Sequence, residues 1–103
     1  MLGIVIEYDY DGDEAAWQNA VDTFMGHIDA DERLKGRFSY QVNVRSDGTG
    51  RIHVGNWDVE ETVKHVQSQP WFAEFSGKVK EFASGPPRAT GFKRLGITQS
   101  RTD

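Results

Sequence analysis

The chain holds three histidines and no cysteine, so few of its residues could move a proton near neutral pH. Two histidines sit in suggestive places. His53 lies in an alternating segment that ends at Trp57, and Asn43 lies in the alternating segment before it. Pairing those segments across the turn between them, with Val44 opposite Ile52, sets Asn43 beside His53. An imidazole next to a carboxamide can act as general base with an orienting or oxyanion-stabilising amide. It can equally be a hydrogen-bonded polar pair on a sheet face turned to solvent or to a second copy. His65 sits beside the apolar stripe of Val63 and Val66, just before Pro70, where a broken helix could border a cleft; on a helix surface it would simply be solvated. Tyr8, Tyr40, Trp57, Trp71 and Phe72 could wall a pocket for a flat ligand, or serve as core or dimer interface.

The elements that carry these residues are written in the hydrophobic period. Leu2 to Tyr8 alternates as a strand. Asp9 to Glu14 offers helix caps, with Asp11 and Glu14 at capping-box spacing. Trp17, Ala20, Val21, Phe24 and Ile28 then recur at three- and four-residue steps, predicting a helix that Gly36 ends. Arg37 to Arg45 alternates again, and Ser46-Asp47-Gly48-Thr49-Gly50 turns the chain into a second strand carrying Ile52 and Val54. Asp58 to Glu61 opens a helix that Pro70 interrupts; Trp71, Phe72, Phe75, Val79 and Phe82 continue it, and Gly85-Pro86-Pro87 stops it. Arg88 to about Ile97 reads as a last strand.

The order β-α-β-β-α-β is the ferredoxin-like α+β pattern, a four-stranded antiparallel sheet with helices on one face. On the register above, the helices cover Ile4, Ile6, Tyr40, Val42, Val44, Ile52 and Val54. Glu7, Gln41, Asn43, His53 and Trp57 are left on the other face.

At 103 residues the chain has room for one domain, spanning residues 1–103. Such a domain, without a disulfide, is expected to gain stability from a second copy. The composition, 37% hydrophobic and 27% charged with a net charge of -4, excludes a disordered tail or a fibrous repeat. Residues 1–35 carry nine acids against Arg33 and Lys35, and the basic end (Arg88, Lys93, Arg94, Arg101) is too sparse for a nucleic-acid footprint. The apolar start meets Glu7 too soon for a signal or a membrane span, so no membrane partner and a cytoplasmic location are expected. Separated histidines give no metal motif. Asp9 to Glu14 fails as a calcium loop, because its glycine is out of register and the twelfth position is Ala20.

The run Val54-Gly55-Asn56-Trp57-Asp58-Val59-Glu60-Glu61, followed by His65-Val66-Gln67-Ser68-Gln69-Pro70-Trp71-Phe72, resembles the dimeric α+β barrel superfamily, in its antibiotic-biosynthesis-monooxygenase-like branch. The resemblance covers about residues 52–83, with matching element order elsewhere. It implies a homodimer with sheets packed face to face, and chemistry without a cofactor on a small aromatic ligand. It also leaves open a non-catalytic ligand-sensing or oligomerisation module. Positions where haem-degrading members carry tryptophan, histidine and asparagine fall near Val66, Ser76 and Tyr8, so haem degradation is not implied. On this reading Tyr40 and Trp57 contact the ligand, Asn43 orients it, and His53 or His65 moves a proton.

Overall fold

The structure, a computed structural model, describes residues 1–100 and Thr102. Strands β1 (Leu2–Asp9), β2 (Phe38–Val44), β3 (Gly50–Trp57) and β4 (Arg88–Lys93) form one sheet in the order β2-β3-β1-β4, with every neighbouring pair antiparallel. Helices α1 (Glu14–Ala30), α2 (Glu60–Gln67) and α3 (Pro70–Phe82) complete the ferredoxin-like α+β architecture. Among the described residues, no helix is long and apolar enough to cross a membrane.

The stripe predicted for α1 is the stripe it buries: Trp17, Ala20, Val21, Phe24 and Ile28. Trp17, Val21, Phe24 and Ile28 meet Val66 of α2, Phe75 and Val79 of α3, and Tyr8, Tyr40 and Val42 of the sheet in one core. The ends of α1 differ from expectation. Asp13, not Asp11, is the N-cap and accepts from Ala15 N at 3.0 Å. The helix stops at Ala30 rather than at Gly36, because Asp31 turns extended. Its carboxylate accepts from Arg33 N at the start of a short 3₁₀ turn, Glu32–Leu34. Pro70 is the first residue of α3, where its missing N–H costs nothing, so the predicted interruption is two separate helices. The last strand ends at Lys93, short of Ile97.

The largest correction concerns the register of β2 and β3. Val44 lies opposite Arg51 and Val42 opposite His53, one residue away from the expected pairing. The turn decides it. Arg45 N donates to Gly50 O at 2.7 Å, Gly48 takes φ +88°, and Asp47 Oδ1 accepts from both Thr49 N and Gly50 N. That arrangement closes the hairpin on Arg45 and Gly50. A one-residue slip inverts every side chain of a strand. Arg51, His53, Gly55 and Trp57 therefore share the helix side with Tyr8, Ile6, Ile4 and Tyr40. Ile52 and Val54 face the opposite way, with Asn43 and Gln41.

Candidate functional site

Trp57 ends β3 and Tyr40 lies mid-strand in β2; both side chains point toward the helices. Between them and α2–α3 lies a cavity of about 270 Å³. Ile4, Ile6 and Gly55 form its floor, Val63, Val66, Phe72 and Phe75 its roof, and Gln67 and Lys80 reach its rim. Gly55 keeps the floor open. It faces Tyr40 across the strands, and a Cβ there would come within 3.3 Å of the Tyr40 ring. Phe38 is roughly parallel to both Tyr40 and Trp57, with centroids 6.4 and 6.2 Å away, so aromatic walls flank one side. Among the described residues, no carboxylate or histidine lines the cavity. Trp57, one of the lining residues, has a buried Nε1 with no hydrogen-bond partner among the described residues.

Behind Tyr40 runs a chain of buried polar groups. Trp17 Nε1 donates to Tyr8 Oη at 2.8 Å. Tyr8 Oη is 2.8 Å from His53 Nε2, and His53 Nδ1 is 2.8 Å from Tyr40 Oη. His53 is 1% exposed and is walled from the cavity by Tyr40 and Phe75. Burial, helped by the Arg51 guanidinium, pushes its pKa down to about 4, so the ring is neutral at pH 7. Burial likewise raises the Tyr40 and Tyr8 hydroxyls above the ordinary tyrosine value. Arg51 is wholly buried, 4.4 Å above the Trp17 ring, and Nη2 donates to Glu14 while Nη1 donates to Gly48 O.

The residues singled out from the sequence therefore fall in four places. Tyr40, Trp57 and Phe72 line one cavity, and His53 stands behind it on Tyr40. Asn43 is on the far face of the sheet, opposite Ile52, where Nδ2 donates to Ile52 O at 3.1 Å; it is not a neighbour of His53. His65 faces a different, open cleft, with Nε2 2.7 Å from Asp31 Oδ2, and that bond holds the Asp31 carboxyl below its ordinary range. Trp71 stacks on His27 at 5.6 Å in a shallow groove between α1 and α3. Tyr8, expected as a pocket wall, stands behind the cavity in the polar chain, and Trp17 and Arg51 were not singled out as site residues. Trp17 lies in the α1 core stripe, which gives no sign of a polar partner, and a polar strand residue such as Arg51 looks solvated until the register buries it.

No protein-family model and no curated protein matches the sequence. Solved structures do match along nearly the whole chain. Rv0793 from Mycobacterium tuberculosis superposes with a TM-score of 0.78 at 14% identity, covering 95% of this chain and 98% of that one. SnoaB from Streptomyces nogalater, a cofactor-independent oxygenase solved as a point mutant, gives a TM-score of 0.78 at 10% identity, covering 96% and 97%. This chain has the fold of the antibiotic biosynthesis monooxygenase-like proteins. The ActVA-Orf6 monooxygenase from Streptomyces coelicolor, solved with nanaomycin D, shares that fold with a TM-score of 0.71 at 20% identity, covering 97% and 92%. At these identities the likeness is one of architecture.

Proposed function

We propose that the cavity between the sheet and α2–α3 binds a small, flat aromatic compound, and that the protein is a cofactor-independent, monooxygenase-like enzyme. The observation that carries the binding reading is a largely apolar, aromatic-walled cavity whose lining includes Trp57, with a buried indole N–H unpartnered among the described residues. A ligand oxygen that reached that donor would satisfy it. Two solved proteins of this fold are an oxygenase and a monooxygenase, which supports the reaction class.

Without a cofactor, the substrate itself must reduce dioxygen, and an electron-rich phenolate does so more readily than the phenol. A lining with an indole N–H, a phenol and a rim lysine, but no carboxylate, favours the oxyanion form of a bound ligand. His53 remains neutral and supports Tyr40 rather than touching the ligand. The far face of the sheet, with Val5, Ile52, Val54 and Phe92 half-buried, is covered by a second copy in this reading.

The test is aerobic turnover of 1,5-dihydroxynaphthalene with a chelator present and no flavin added. Its conversion to 5-hydroxy-1,4-naphthoquinone consumes one dioxygen and releases one water. The expected result is saturable, protein-dependent oxygen uptake matching quinone formation, abolished in Ser76→Phe, which fills the cavity. Uptake equal to the protein-free rate contradicts the enzymatic reading. Saturable binding without turnover selects the second reading, a non-catalytic ligand-sensing module. One feature favours that second reading: the nearest histidine is held between two tyrosine hydroxyls and offers the cavity no free base.

A further inference from the structure

The four-residue chain behind the cavity has a direction that its donors and acceptors dictate. An indole N–H can only donate, so the Tyr8 oxygen accepts from Trp17. Tyr8 is buried, and His53 Nε2 is the one remaining partner of its hydroxyl among the described residues. If Nε2 carried a proton, Tyr8 would accept twice and its own buried proton would have no acceptor. The arrangement that satisfies the Trp17, Tyr8 and His53 groups has Tyr8 donating to Nε2. His53 then carries its proton on Nδ1 and donates it to Tyr40 Oη. Tyr40 makes no other hydrogen bond among the described residues and lines the cavity, so its own proton is left facing whatever occupies that space.

We propose that Trp17, Tyr8 and His53 are positioning residues that fix the polarity of Tyr40, making it a hydrogen-bond donor to a carbonyl or oxyanion of the cavity's ligand. The opposite polarity would turn the Tyr40 proton back onto His53 and present a lone pair, selecting ligands with a hydroxyl or amine donor. The specificity of the cavity is thus set by a side chain on α1 that never touches the ligand. This inference rests on the reading of the cavity as a ligand site, and adds to it the chemical class of the group recognised.

Two measurements decide it. The first uses the unliganded protein: long-range proton–nitrogen correlation of labelled histidine at pH 7, with His53 assigned through His53→Gln. The expected spectrum shows His53 protonated on Nδ1 alone. In Tyr8→Phe, which removes the donor to Nε2, the ring shifts toward the Nε2-protonated tautomer. An Nε2-protonated ring in the wild type overturns the proposal whatever the variants do.

The second compares 1-tetralone with tetralin, a carbonyl and a hydrocarbon of similar shape, by titration calorimetry or ligand-observed resonance. Wild type is expected to prefer the ketone by about tenfold, the size of one hydrogen bond. That preference falls to about twofold or less in Tyr40→Phe and in Tyr8→Phe, while both variants still bind tetralin. Preference retained in Tyr40→Phe, or lost only in Trp57→Phe, overturns the proposal and leaves the cavity reading standing. Equal binding of both compounds by the wild type does the same. Binding of neither overturns the cavity reading together with the proposal.

Discussion

His53 carries the strongest electrostatic consequence of any single residue here. Its folded pKa of about 4 lies below the ordinary histidine value of 6.5. The unfolded chain therefore binds a proton between those values that the folded chain refuses. The stabilisation is complete above pH 6.5 and is lost as pH falls toward 4, by an amount on the order of 3 kcal/mol. The groups around the ring are the Tyr8 and Tyr40 hydroxyls, which burial pushes up and away from that window, and the Arg51 guanidinium. Asp31, Asp47 and Asp58, whose carboxyls are held low by their hydrogen bonds, act only below about pH 4. Urea denaturation at intervals between pH 7 and 4 should show the decline in wild type and a much flatter profile in His53→Gln. A flat wild-type profile would place the ring in water or give it a counterion.

At the level of elements, β1 and β3 approach so closely that Gly3 has no room for a methyl group. A Cβ there would lie 2.7 Å from Gly55 O and run into the Phe92 ring. The carbonyl belongs to the strand that floors the cavity and cannot move alone. Gly3→Ala should therefore lower stability by about 1–3 kcal/mol with little change in the urea m-value, and an unchanged midpoint would contradict the packing described. The element order and the α1 stripe were legible in the sequence because each follows from the period of residues such as Trp17, Phe24 and Ile28. The facing of β3 was not. Ile52 and Val54 read as interior residues, whereas Arg51 and His53 hold the interior positions, made tolerable there by Glu14, Gly48 and two tyrosine hydroxyls. Those partners come from β1, β2, α1 and the β2–β3 turn, so no local pattern announces them. The same shift separated Asn43 from His53 and brought Trp57 to the side where the cavity lies.

For the molecule as a whole, one face of the sheet lies under helices and, among the described residues, no helix covers the other. That other face carries Val5, Ile52, Val54 and Phe92, with the Glu7–Arg88 pair at 3.6 Å toward the edge between β1 and β4. On the reading that a second copy covers it, sedimentation velocity at micromolar concentration should return twice the 11.6 kDa chain mass. Val54→Glu, which buries a charge in that interface, should return the monomer. A monomeric wild type would contradict the dimer. The cavity lies on the opposite, helix-covered side, so its occupancy can be tested separately from assembly.

The cavity is central to the account, and its unpartnered donor is a spectroscopic probe in itself. The chain has three tryptophans, and so three indole N–H resonances: Trp17 bound to Tyr8, Trp71 stacked on His27, and Trp57 in the cavity lining. Titrating 1,5-dihydroxynaphthalene under anaerobic conditions, with Trp57 assigned through Trp57→Phe, should shift the Trp57 resonance saturably and leave that of Trp71 in place. A Trp57 resonance that does not move, or a shift confined to Trp71, would contradict the assignment of this cavity as the ligand site.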